Sequence, residues 1–158
     1  MTRNSLFLSV LIFLSISIFG IAQEMKPEAG KLYNEGNALL KEGNVNEAIN
    51  KYDAALQIEK DYRIYYQKGV ALKKADKLAD SKVAFEECLK LNSGFEGALN
   101  ALGGVYFSMG NYTAAIENFE KVLNSNASSS VKTKVKKNIS LAYAKLGNES
   151  LAKGDANK

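Results

Sequence analysis

Hydrophobic and small positions along the chain fall into three blocks with the same internal spacing. Leu32, Gly36, Leu39, Gly43, Ala48, Tyr52 and Ala55 form the first. Tyr65, Gly69, Leu72, Asp76, Ser81, Phe85 and Cys88 form the second, and Leu99, Gly103, Tyr106, Gly110, Ala115, Phe119 and Val122 the third. The leading glycine recurs at Gly36, Gly69 and Gly103, so the periods are 33 and 34 residues. A period in this range signals stacked supersecondary units, each burying its apolar face against its neighbours. Such an array offers a surface to bind with and has no built-in catalytic cavity.

Within each block the apolar positions follow helical spacing on both sides of a turn, as in Leu32, Leu39 and Leu40, then Ala48, Ile49, Tyr52 and Leu56. Gly43-Asn44 and Gly110-Asn111 are the turn signals. Glycine tolerates the left-handed conformation that ends a helix, and asparagine suits the start of the next. Asp76 takes the glycine slot in the middle block, where it is a poorer substitute. Small residues are expected where the two helices of a block cross: Gly36 with Ala48, Gly69 with Ser81, Gly103 with Ala115. Tyr52, Phe85 and Phe119 are expected to fill the space between neighbouring pairs.

These residues resemble the tetratricopeptide repeat family. The third block matches its pattern best, through Leu102-Gly103, Tyr106, Gly110-Asn111-Tyr112, Ala114-Ala115, Phe119 and Leu123. The second departs from it at Ser81 and Cys88, which replace alanines. The proline that usually closes a repeat is replaced by Lys60, Ser93 and Ala127. The resemblance covers about residues 29–125. It implies an all-α fold, a right-handed superhelix of antiparallel helix pairs, with repeats at 29–61, 62–95 and 96–129.

A fourth unit begins at the C-terminal side. Val131–Leu146 reads as a capping helix with Ile139, Tyr143 and Leu146 on one face, after a polar linker at Asn124–Ser130. Gly147-Asn148 repeats the turn signal and Ala152 falls where the next small residue belongs. Residues 130–153 are thus expected to form a cap and an incomplete fourth repeat, and residues 154–158 a polar tail.

The N-terminus reads differently. Arg3 precedes an apolar run from Leu6 to Phe19, and Gly20-Ile21-Ala22 places small residues before a cut ahead of Gln23. This is the pattern of a secretory signal peptide over residues 1–22, followed by a short extension at 23–28. The run is short for a membrane span, and an uncleaved anchor is the alternative. A periplasmic or secreted location is therefore expected.

Composition removes several function classes. Of 158 residues, 46% are hydrophobic and 24% charged, which fits a folded domain. The chain has no His, the commonest general base and metal ligand. Cys88 is its one cysteine, so no internal disulfide or zinc cluster can form, and a buried, unreactive thiol is expected there. No nucleophile–base pair, metal-ligand set or phosphate loop appears, so neither an enzyme nor a cofactor is expected. Glu86-Glu87 and the Glu117/Glu120 pair read as solvated charge. Asn111, Asn126, Asn138 and Asn148 head N-x-Ser/Thr triplets that the asparagine-rich turns explain.

Net charge is +4, and removing residues 1–22, which contain Arg3 and no acid, leaves +3. That is too mild to argue nucleic-acid binding. The distribution is uneven. Residues 23–61 carry 5 basic and 8 acidic side chains, and residues 130–158 carry 7 and 2.

The family resemblance implies that the first helix of each pair lines a concave groove. Its outward residues would be Tyr33, Asn34, Asn37 and Lys41, then Tyr66, Gln67, Val70, Lys73 and Lys74. Asn100, Gly104, Phe107 and Ser108 follow, and the cap adds Lys137, Asn138, Leu141 and Lys145. Amides suit a peptide backbone, aromatics give rigid contact area, and lysines attract carboxylates. Some family members hold acidic chaperone C-termini in a two-carboxylate clamp. Here Asn37 matches one clamp position, but Tyr33, Gln67, Gly97 and Ala101 occupy the others, so no chaperone-type clamp is expected. The reading that follows is an exported module that binds a protein or peptide partner and supports an envelope complex. Self-association of the array through its ends, and a non-catalytic subunit of an envelope enzyme, are the alternatives.

Overall fold

The computed structural model describes the backbone of residues 24–155 and the side chains of residues 24–152. The expected signal peptide lies outside the described residues. Seven helices and no strand occur within them: α1 Pro27–Glu42, α2 Val45–Ile58, α3 Tyr62–Lys74, α4 Leu78–Leu91, α5 Glu96–Ser108, α6 Tyr112–Leu123 and α7 Ser129–Asp155. The first six pack as three antiparallel pairs, and α7 packs on α6. Among the described residues, no helix is long and apolar enough to cross a membrane.

The turn inside each pair is built the same way three times. One or two residues past the first helix the chain takes a left-handed conformation, at Gly43 (φ 90°), Asp76 (φ 57°) and Gly110 (φ 78°). The next N–H then reaches back over the helix end. Asn44 donates to the Leu39 carbonyl, Lys77 to Leu72 and Asn111 to Tyr106, each at 2.9 Å. These bonds satisfy carbonyls that a helix end leaves without partners. Asp76 holds this conformation with a side chain, at a cost glycine avoids. The expected asparagine caps are split. Asn111 Oδ1 accepts from the Ala114 N–H at 3.1 Å, whereas Asn44 makes no cap bond and donates to Glu42 instead. The start of α3 is capped by Asp61, which accepts from the Arg63 N–H at 2.7 Å.

Inside each pair a ring lies on a glycine. A methyl group placed on Gly36, Gly69 or Gly103 would sit 2.6 Å from Cε1 of Tyr52, Phe85 or Phe119 respectively. The large aromatics therefore do more than fill the space between pairs, as expected from sequence; each also closes its own pair. The small–small crossings are present as well. Ala48, Ser81 and Ala115 are fully buried, and Ser81 Oγ donates to the Gly69 carbonyl at 2.8 Å. The core forms three buried clusters along the array, joined through partly buried Val70, Leu89 and Tyr106; Tyr52 and Phe85 are 0% exposed, and Phe119 is 2% exposed. Cys88 is buried among Phe85, Ala98, Leu102 and Val105, and burial pushes its thiol up to about 12.

The C-terminal segment departs from expectation. Gly147-Asn148 makes no turn, and α7 runs through it as one helix of 27 residues, about 40 Å at 1.5 Å per residue. No second helix of a fourth pair exists among the described residues. The buried stripe of α7 is Val135 and Ala142, with Val131, Ile139 and Leu146 partly covered. Val131, Val135 and Ile139 join Phe119 and Val122 in one apolar cluster, which caps the third pair. Tyr143 is not on that stripe and is 54% exposed. A left-handed turn needs tertiary contacts to repay breaking the helix. No helix returns after Gly147 to pack against α7 among the described residues, so nothing repays a break there and the helix continues.

Candidate binding groove

Curvature follows from which helices approach each other. α1 touches α3 and α3 touches α5, while α2, α4 and α6 sit further apart. The first helices therefore line the inner side, and α7 continues their row. Two adjoining cavities open on this side. One, of about 270 Å³, is bounded by Lys73, Gly104, Phe107, Phe119, Asn138 and Leu141. The other, of about 480 Å³, involves Val70, Lys73, Lys74, Phe85, Asn100 and Gly104. Lys73, Gly104 and Asn138 belong to both, so the ridge between the cavities is made by α3, α5 and α7 together.

Of the residues predicted from sequence, the structure brings Val70, Lys73, Lys74, Asn100, Gly104, Phe107 and Leu141 to these cavities. Gly104 matters because its bare backbone leaves room: the Lys73 ammonium is 3.1 Å from where its Cβ would stand. Phe107 is held edge-on by Tyr112, with ring centroids 5.2 Å apart. Tyr33, Asn37, Lys41, Tyr66, Gln67, Lys137 and Lys145 line neither cavity. Lys41, Lys137 and Lys145 are exposed.

Three of the others are already engaged. Asn37 Oδ1 accepts the Tyr52 hydroxyl at 2.8 Å. Burial, with a contribution from Tyr33, pushes that hydroxyl's pKa up to about 12, so it stays a donor. Tyr33 packs against Tyr52 with centroids 6.2 Å apart. Tyr66 stacks edge-on with Phe95 at 5.0 Å and tilts against Phe85 at 5.9 Å. The same two rings, Phe95 and Tyr66, crowd the backbone at Gly97, one of the clamp positions.

Phe85 and Phe119 reach the groove floor, and sequence reading did not place them there. The available signal was the glycine at each first-helix crossing. A ring lying on a glycine can show its edge past the helix to the inner side.

Salt bridges lie elsewhere on the molecule. Lys51 pairs with Glu35 at 2.6 Å, Lys68 with Asp53 at 2.5 Å and Lys82 with Glu86 at 3.1 Å; Lys90 pairs with Glu87. Arg63 pairs with Asp61 at 2.6 Å. Burial works against ionisation of Asp61, but the guanidinium and two backbone N–H groups outweigh it and hold the carboxyl below its ordinary range. Among the described residues, no group of acidic and thiol side chains is arranged to hold a metal ion.

Sequence profiles described as Tetratricopeptide repeat match residues 29–62, 62–95 and 97–129. The chain belongs to the tetratricopeptide repeat family. Tetratricopeptide repeat protein 33 of Xenopus laevis is 31% identical over 91 residues, which cover 57% of this chain and 35% of that protein. Human tetratricopeptide repeat protein 13 is 26% identical over 100 residues, 63% of this chain and 12% of that one. The chain thus spans about a third or less of these relatives. Among solved structures, MamA matches with a TM-score of 0.68 at 27% identity, over 78% of this chain and 68% of that one. The Sgt2 repeat domain from Aspergillus fumigatus matches with a TM-score of 0.71 at 23% identity, covering 79% and 83%. The first repeat domain of Spaghetti (RPAP3), bound to the HSP90 peptide SRMEEVD, matches with 0.68 at 23%, covering 79% and 99%. These last two likenesses show the shared fold.

Proposed function

We propose that this chain is an exported, non-catalytic interaction module that holds a peptide or partner segment in its concave groove and supports assembly or localisation of an envelope complex. The observation that carries the binding reading is the pair of adjoining cavities on α3, α5 and α7, which combine apolar surface, amides and lysines. The fold is one in which a related domain holds an HSP90 peptide. Export is supported by Arg3, the Leu6–Phe19 run and Gly20-Ile21-Ala22.

Crosslinking the protein in its native envelope and isolating what it holds tests the whole reading. A partner lost on Phe107→Ala, with helix content unchanged by circular dichroism, supports the groove. Binding that survives Phe107→Ala moves the surface elsewhere. The exported protein should begin at Gln23 on N-terminal sequencing, and recovery of a membrane-embedded form starting at Met1 would replace cleavage with anchoring.

Self-association is the second reading. Its support is the uncovered side of α7, where Tyr143 is 54% and Leu151 70% exposed. Sizing at several concentrations separates it from the first: a mass that rises with concentration and falls back on Tyr143→Ser is its expected signature.

A further inference from the structure

We infer that copies of this chain join head to tail, with the α1 face that carries Leu32 and Leu39 in one copy seated on the uncovered face of α7 in the next. This rests on the self-association reading above and names the contact and its polarity.

The first end of the array is an interior surface left open. At the positions of Leu32 and Leu39, α3 carries Tyr65 and Leu72, and these line a cleft with Ile49, Asn50 and Asp53 of the preceding pair. On α5 the Leu39 position is Tyr106, whose hydroxyl donates to Glu86 of α4 at 3.1 Å. Positions that meet the pair before them in the second and third repeats meet no helix in the first, because none precedes α1 among the described residues. Leu32 and Leu39 are left half-buried.

The last end is open for the reverse reason. α7 takes the place of a first helix, and no second helix covers it among the described residues. Lys136, Ser140, Tyr143 and Gly147 follow one another at three- and four-residue steps, so they share one face, and Leu151 extends it. All five are exposed.

Charge decides which surfaces meet. Glu28, Glu35 and Glu42 recur every seven residues on α1, beside Leu32 and Leu39, which are themselves seven apart. An acidic line therefore borders the apolar one. Glu35 already holds Lys51, but Glu28 and Glu42 are exposed. On α7, Lys132 lies one turn before Lys136 on the same side. The wider segments agree: residues 23–61 carry 5 basic and 8 acidic side chains, and residues 130–158 carry 7 and 2. Packing α7 on α7 of a second copy would set lysines against lysines, and like charges select against that pairing. Packing α1 on α7 sets acids against bases. Two unlike surfaces make a heterologous contact, which repeats from copy to copy.

Sedimentation velocity on the exported chain at rising concentration tests this. The parent should form species beyond a dimer, and these should shrink in high salt. Glu28→Lys with Glu42→Lys turns the α1 line basic. Lys132→Glu with Lys136→Glu turns the α7 face acidic. Each variant alone should associate about tenfold more weakly than the parent. An equimolar mixture of the two should regain the parent's association, since each then finds its opposite. If either pair of changes lowers helix content by circular dichroism, Glu42→Lys and Lys136→Glu alone, both at exposed positions, replace them. A parent that keeps one mass at every concentration overturns the self-association reading, and this contact with it. A parent that associates, and associates equally after the α1 reversal, overturns the head-to-tail contact and leaves self-association standing. Variants that stay apart when mixed overturn the contact in the same way.

Discussion

In each of the three helix pairs, a glycine on the first helix lies under an aromatic ring from the second: Gly36 under Tyr52, Gly69 under Phe85, Gly103 under Phe119. On α7 the position seven residues before Gly147, as Gly103 is before Gly110, is Ser140, and it faces solvent. Gly110 ends its helix in the left-handed region, while Gly147 sits inside α7 and ends nothing. One residue type at equivalent places in the repeat thus breaks a helix in one case and is carried along by it in the other. The difference is the presence of α6. A returning helix brings a buried ring, and burying it repays the turn. Helix starts and stops are cooperative consequences of packing as well as of local propensity.

The largest expected effect breaks the packed side of this comparison. Phe119→Ala removes a ring shared by the third pair and the cap, and should cost about 3–5 kcal/mol in urea unfolding. A loss below about 1 kcal/mol would mean that α7 does not lean on this ring.

Glycine-to-alanine changes sharpen the contrast, because they should have opposite signs. Gly103→Ala drives a methyl group to 2.6 Å from the Phe119 ring and should destabilise by about 1–3 kcal/mol. Gly147→Ala meets nothing within 4 Å and should stabilise by about 0.5–1 kcal/mol through helix propensity. Equal signs in thermal melts would remove the distinction drawn between the two sites.

Asp76→Gly should stabilise the middle turn by about 1 kcal/mol, since it relieves a left-handed conformation that a side chain disfavours. The matching change at Gly43 or Gly110, to Asp, should cost a similar amount.

The pH dependence follows from the shifted groups. The Asp61 carboxyl is held low in the folded state, so the stability it adds is present above the ordinary carboxyl range and is lost as pH falls through its folded value. Asp61→Asn should flatten that acid limb, and loss of the charged cap should cost about 1 kcal/mol at neutral pH. Cys88 and Tyr52 are raised to about 12, so the stability their neutral forms add is present below their ordinary values and fades as pH rises towards 12. The Cys88 thiol should accordingly react with a thiol reagent only under unfolding conditions. Prompt labelling of the native chain would contradict its burial. The smallest effect belongs to the open face, where Tyr143→Ala should change stability by less than about 0.5 kcal/mol.

Repeat number, helix pairing and the three turns were legible in the residues, because a spacing repeated three times constrains every helix that shares it. Asp76 in a glycine slot was legible for the same reason, and it does adopt a positive φ. The groove was only half legible. Val70, Lys73, Lys74, Asn100, Gly104 and Phe107 of the first helices come together with Leu141 of α7 at the two cavities. Asn37, Tyr33 and Tyr66 occupy equivalent helical positions, yet they spend their polar atom or ring faces on Tyr52, Phe95 and Phe85. Periodicity says which side of a helix a residue is on; it does not say which neighbour reaches that residue first.

The sequence by itself determined the family, the helical periods, the burial of Cys88 and the left-handed turns, since each depends on residue type at a fixed local spacing. Tertiary structure decided the rest. It placed the rings of Phe85 and Phe119 at the groove floor, laid the Lys73 ammonium over Gly104, and carried α7 straight through Gly147. Those outcomes depend on whether another helix arrives to cover a surface, and the distance between two helices far apart in the chain is not written in the spacing within either.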